Sequence, residues 1–142
     1  MLVRCVASQL TTDQRRQLLV NDPAPDHQLR LGGEYLVLGI TFLLPTPPHG
    51  GGVRYEILND YGKCRSIPAL LFELVDRRVS KHWVARQDDD GALLLWPEVF
   101  YSQFFHDDLS EGVAQAVQAF SSVVDLLRQE QECRLSETVL KS

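Results

Sequence analysis

Long apolar runs are missing from this sequence: no stretch approaches the roughly 18 apolar residues of a membrane span. The opening Met1-Leu2-Val3-Arg4-Cys5-Val6 also lacks an extended apolar segment leading to a cleavage site. A cytoplasmic protein with no membrane partner is the expectation. Cysteine is scarce as well. Cys5, Cys64 and Cys133 are odd in number and widely separated, which fits neither a disulfide framework nor a zinc spacing. They are expected to be reduced thiols, with Cys5 and Cys64 in strands.

Motifs that carry chemistry are equally sparse. Gly50-Gly51-Gly52 follows His49, but neither a Gly-Lys-Ser/Thr nor a helix start follows, so the run reads as loop rather than phosphate cradle. The serines show no nucleophile elbow, and nothing orients Cys64 toward His82 as a thiol and base pair. His106-Asp107-Asp108 offers one imidazole and two carboxylates. The other histidines, His27, His49 and His82, add no ligand spacing, and the acids serve as helix caps without an ion. Asp88-Asp89-Asp90 lacks the alternating oxygen ligands and distal glutamate of a calcium loop. Basic clusters are limited to Arg77-Arg78 with Lys81, flanked by Glu73 and Asp76, which disfavours nucleic acid as a partner. No catalytic residue, metal or cofactor is expected.

What the chain does have is segregated charge. Asp88 to Glu132 holds ten carboxylates and one base, Arg128, for a net of −9, while the other 97 residues carry nine acids and thirteen bases, a net of +4. A one-signed surface steers oppositely charged molecules toward it. Apolar residues at 44% and charged residues at 23% of 142 are ordinary globular usage. That length suits one domain, able to bury roughly two-thirds of its unfolded surface.

The patterning predicts an α+β domain. A strand at Leu2 to Ala7 precedes a helix from Thr11, where Gln14 completes a capping box, to about Val20. Asn21 to Asp26, with Pro23 and Pro25, ends that helix and forms a stiff linker. Glu34 to Phe42 reads as a central strand, with Leu36, Leu38, Ile40 and Phe42 on one face and Tyr35, Val37 and Thr41 on the other. Pro45 to Gly52 is a loop. Arg54 to Leu58 and Lys63 to Ile67 flank the turn Asn59-Asp60-Tyr61-Gly62. A short turn at Pro68 to Leu71 and strands at Phe72 to Val75, Lys81 to Arg86 and Leu93 to Trp96 follow. Such closely spaced strands suggest a small SH3-like antiparallel β-barrel or a bent sheet.

Pro97 suits the first position of a helix running to about Phe105, and Asp108-x-x-Glu111 caps a longer one from Ser110 to Gln131. In the latter, Val113, Val117, Phe120, Val124 and Leu127 form an apolar stripe that packs on the sheet, or, at heptad-like spacing, serves a homodimer. The expected organisation is a single domain over 1–132: an N-terminal flank over 1–30, a barrel over 33–96 and helices over 97–132. A mobile tail over 133–142 follows. On a continuous helix Trp96, Phe100 and Phe104 share a buried face, and Tyr101 and Phe105 point about 100 degrees round. The favoured reading of this aromatic series is core packing; the functional alternative puts Tyr101 and Phe105 at the rim of a binding surface beside Asp107, Asp108 and Glu111.

The runs Gly33-Glu34-Tyr35-Leu36-Val37-Leu38-Gly39-Ile40, Pro68-Ala69-Leu70-Leu71-Phe72-Glu73-Leu74-Val75-Asp76 and Trp96-Pro97-Glu98 resemble a set of small bacterial proteins to which no activity is attached. That resemblance implies no catalytic residue. More loosely, the chain is similar in type to toxin immunity proteins, which are commonly small, acidic and cytoplasmic. The resulting expectation is a non-enzymatic immunity protein or antitoxin that binds a basic toxin domain through Asp88, Asp89, Asp90, Tyr101, Phe105, Asp107, Asp108 and Glu111. The alternative is an SH3-like interaction or regulatory module gripping a peptide or protein subunit with Pro45 to Gly52 and Trp83. An enzyme, recognisable by a deep pocket with convergent polar groups, ranks behind both.

Overall fold

The computed structural model describes residues 1–20, 26–44 and 50–141. The expected linker at Asn21–Pro25 and the Pro45–His49 part of the expected loop lie outside the described residues. Among the described residues seven strands and three helices follow in the order β1 (Leu2–Cys5), α1 (Thr12–Gln17), β2 (Glu34–Leu43), β3 (Gly52–Leu58), β4 (Cys64–Pro68), β5 (Phe72–Asp76), β6 (Trp83–Gln87), β7 (Leu93–Pro97), α2 (Phe105–Ser110) and α3 (Ala114–Lys141). Short 3₁₀ turns occupy Ala69–Leu71 and Glu98–Tyr101.

Local chemistry accounts for most boundaries. Thr11 Oγ1 accepts from the Gln14 amide at 3.1 Å and Gln14 Oε1 accepts from the Thr11 amide at 2.9 Å, the reciprocal cap that the sequence suggests. At the β3–β4 turn, Asn59 Oδ1 accepts from the amides of Tyr61 and Lys63, both at 2.9 Å, and Gly62 takes a φ of +73°. The glycine run does more than link strands. Gly50 has a φ of +82°, and a Cβ there would lie 2.8 Å from the Leu18 carbonyl oxygen, so the end of the first helical segment lies directly against the loop.

The sheet is antiparallel and strongly bent about β2. One edge of β2 pairs with β3 along Val37 to Leu43; the opposite edge pairs with β1 at Leu36 to Glu34 and then with β7 at Ile40 to Phe42. The path runs β4-β3-β2-β1-β5, and β6 joins through β7. No strand pair among the described residues closes this path, so the sheet is open. The expected bent sheet is found; a closed barrel is not.

An irregularity between Val37 and Gly39 shifts the register against β3 and reverses the side-chain parity of β2. Tyr35, Val37 and Ile40 therefore enter one core with Val3, Ile57, Ile67 and Leu71, inside the curl of the sheet. Leu36 and Leu38 belong to a second core beneath the helices, with Phe100, Phe105, Phe120, Val124 and Leu127. The expected face of Leu36, Leu38, Ile40 and Phe42 is thus split. Gly39 permits this arrangement, because a Cβ there would lie 2.8 Å from Trp96 Cδ1 and 3.0 Å from the Leu95 carbonyl oxygen.

The helical region departs further from expectation. The single turn Glu98–Tyr101 replaces the expected helix after Pro97, and α2 is a separate six-residue helix. Gly112, with a φ of +76°, divides α2 from α3. The stripe of α3 that faces the sheet begins at Ala116 and continues through Phe120, Val124 and Leu127, whereas Val113 and Val117 are exposed. The 28 residues of α3, about 42 Å of helix, include 133–141, where the sequence suggested a tail. Polar groups hold its far end. Gln131 Nε2 donates to Asp76 at 2.8 Å, Glu130 accepts from the Lys81 amide at 2.9 Å, and Arg134 donates to the Arg78 and Val79 carbonyls at 3.0 and 2.7 Å. No helix among the described residues is long and apolar enough to cross a membrane.

Candidate functional site

The acid-rich region is built from the β6–β7 turn and α2. In the turn, the Ala92 amide donates to Asp90 Oδ1 at 3.0 Å, and Gly91 takes a φ of +89°. This geometry leaves Asp89 and Asp90 exposed and Asp88 half-buried, with Asp88 Oδ1 3.5 Å from Arg86 Nε. On α2, Asp107 is exposed and Asp108 half-buried in the first turn, where carboxylates favour the helix dipole. Glu111 is exposed just after the helix.

Charge pairing differs between this region and the rest of the chain. Arg4 reaches Glu34 and Glu73 at 3.3 and 2.9 Å, Arg30 reaches Asp60 at 3.0 Å, and Arg78 reaches Asp76 at 2.7 Å. These arginines are thus neutralised locally by nearby acids. Among the described residues, Asp89, Asp90, Asp107, Asp108 and Glu111 form no ion pair. Further along α3, Glu130 pairs with Arg134 at 3.6 Å.

Between the two acidic segments runs a continuous strip of side chains. Arg86 sits 5.5 Å from the Tyr101 ring centre, Tyr101 stacks on Trp96 at 5.3 Å, and Trp96 contacts the His106 ring at 5.0 Å. Tyr101 is half-buried and structurally engaged: its hydroxyl donates to the Val84 carbonyl at 2.6 Å and accepts from the Trp96 amide at 3.2 Å. It fixes the 3₁₀ turn to the β6–β7 hairpin. Burial pushes its phenol above the ordinary range.

Phe105 does not stand at a rim. It is 5% exposed, stacked on Phe100 at 5.2 Å in the second core. Its neighbour Phe104 is the exposed aromatic, at 64%, with a left-handed φ of +61°. Spacing alone reverses the two, because one left-handed residue after the 3₁₀ turn shifts the helical phase. Phe104 precedes α2 directly and so places an apolar ring beside the first-turn acids. Trp83, the anchor of the alternative reading, is half-buried against the inner core, and its indole N–H has no partner among the described residues.

A second cluster lies where the sheet meets α2. Among the described residues, one oxygen of Glu56, the Cys64 sulfur and one His106 nitrogen lie within 4.8 Å of one another. Glu56 is paired opposite Ser66 and Leu58 opposite Cys64, so Glu56 and Cys64 are diagonal neighbours on one face of β3–β4. Burial raises the Glu56 carboxyl, pushes the Cys64 thiol up to about 12 and lowers the His106 imidazole. A nucleophilic thiol needs the opposite environment, one that favours thiolate and imidazolium. The structure groups Cys64 with Glu56 and His106, whereas His82 borders an open groove beside Cys133.

Comparison with known proteins finds no matching family model, no matching curated protein and no matching solved structure.

Proposed function

We propose that this chain is a non-enzymatic binding protein of the immunity-protein or antitoxin kind, acting in the cytoplasm of a bacterium on a basic toxin domain. The observation that carries the reading is that, among the described residues, Asp89, Asp90, Asp107, Asp108 and Glu111 form no ion pair, whereas Arg4, Arg30 and Arg78 each pair with a nearby acid. Unpaired exposed carboxylates raise the association rate with a positive partner, and contacts that exclude water then slow its release. Phe104 supplies the apolar anchor beside Asp107 and Asp108, the usual composition of an interface centre with a charged margin. Tyr101 acts by fixing the hairpin and the aromatic strip relative to α2. The raised Cys64 thiol and lowered His106 imidazole support a binding role over thiol chemistry.

The test is affinity capture from the cells that encode the chain, with the native protein and an Asp107→Lys/Asp108→Lys variant on parallel columns. The expected capture is a basic protein or domain retained by the native chain and lost from the variant. That domain should also arrest growth when expressed alone and be neutralised on coexpression. An acidic partner, equal retention by the two columns, or a captured domain without toxicity would overturn the reading.

A further inference from the structure

We propose that Glu56, Cys64 and His106 form a binding site for one divalent ion of the zinc class. The donor set is the first reason. Thiolate, imidazole and carboxylate together suit zinc and its neighbours, whereas magnesium and calcium take oxygen alone.

Placement is the second. The three donors come from β3, β4 and α2 and have their candidate ligand atoms within 4.8 Å. Bond lengths of about 2.0–2.3 Å in a tetrahedral shell set donor separations of roughly 3.3–3.8 Å, so closure needs movements of about an ångström. Glu56 is 6% exposed, and Cys64 and His106 are half-buried.

The surroundings already orient the ligands. Thr41 Oγ1 donates to Glu56 Oε1 at 3.2 Å and accepts from Trp96 Nε1–H at 3.0 Å, which fixes the direction of the hydroxyl proton. Such outer hydrogen bonds hold ligand carboxylates in place. His106 is enclosed by the rings of Trp96, Phe100 and Phe105 at 5.0 to 5.5 Å. The nearby Arg54 turns its guanidinium onto Ser66, with Nε 2.9 Å from Oγ and Nη2 2.8 Å from the carbonyl.

Charge balances as well. On coordination the Cys64 thiol releases its proton to solvent, His106 binds as neutral imidazole, and the thiolate and carboxylate offset the two positive charges. A bound ion would also staple α2 to the sheet, a useful restraint for a six-residue helix that is too short to be stable alone.

The test uses the full-length reduced protein, stripped with chelator and titrated with cobalt as a spectroscopic probe and with zinc by competition against a chromophoric chelator. One equivalent should bind, with a thiolate-to-cobalt charge-transfer band and a rise in the thermal midpoint on adding zinc. Cys64→Ser should abolish the band and weaken zinc at least about 100-fold, Glu56→Gln should weaken it about 10- to 100-fold, and Cys133→Ser should change neither. The native protein's cobalt spectrum remains decisive if a variant misfolds. No stoichiometric binding at micromolar metal, a spectrum without a thiolate band, or a band lost in Cys133→Ser and kept in Cys64→Ser would overturn the proposal.

Discussion

Phe104 combines two unfavourable properties in one residue: a bulky side chain at a φ of +61° and 64% exposure of an aromatic ring. A left-handed non-glycine residue costs about 1 kcal/mol or more, and folding alone gives no return for leaving the ring in water. Phe104→Gly is expected to raise stability by about 1 kcal/mol in urea unfolding while weakening capture of the basic partner. A loss of stability would mean that the ring packs in a way its exposure does not suggest. The aromatic residues near Phe104 were legible in the sequence as a group, but not their individual directions, since these depend on one left-handed residue that no spacing reveals. Glu56 is similar. Alternation along β3 marks it as facing away from Ile57 but not that α2 roofs that face, so its burial beside Cys64 and His106, 8 and 50 residues on, was invisible to local patterning.

At the level of elements, the strands were legible because β-branched and aromatic runs alternate with glycine, proline and asparagine turns, and the bonds of the Thr11 cap form as its residues suggest. The structure departs from the patterning where one residue changes a phase: the irregularity ending at Gly39 moves Ile40 into the inner core, and Gly112 shifts the start of the long helix from the expected Ser110 to Ala114. Apolar periodicity in α3 stops at Leu127, and the contacts that carry the helix onward are polar, from Glu130, Gln131 and Arg134 to the loop after β5. Asp76 is central to that contact. Its carboxyl is held well below the usual carboxylate range, chiefly by hydrogen bonds from the Arg78 guanidinium, with the Arg78 amide and Gln131 adding to them.

Because Asp76 titrates lower in the folded than in the unfolded chain, its contribution is complete above the ordinary range near about pH 4 and is lost as pH falls through the lowered folded value. Stability of the native protein should therefore decline below about pH 5. Asp76→Asn should remove part of that decline and cost about 2 kcal/mol at neutral pH, the loss of hydrogen bonds to a charged group. Urea midpoints measured between pH 7 and pH 3 check this. A variant with the same acid slope and neutral stability as the native protein would contradict it.

On the scale of the whole molecule, one bent sheet separates two cores and leaves the β6–β7 turn and α2 at either end of an aromatic strip. The charge asymmetry of the sequence carries through to this structure in an uneven form. Glu34, Glu73, Asp76 and Glu130 are paired and Asp88 lies beside Arg86, whereas among the described residues Asp89, Asp90, Asp107, Asp108 and Glu111 form no ion pair. Sequence alone exposed the excess of carboxylates but not which of them have partners, because pairing depends on contacts between residues far apart in the chain. Exposed pairs contribute little to stability, so reversing the unpaired acids should leave the fold intact and act on association. The direct measurement is the association rate of the purified chain with its captured basic partner as a function of salt. We expect it to fall steeply with ionic strength, and to lose most of that dependence in a variant with Asp89, Asp90, Asp107 and Asp108 changed to asparagine. A rate indifferent to salt, or equally steep in the variant, would contradict a partner drawn in by these carboxylates.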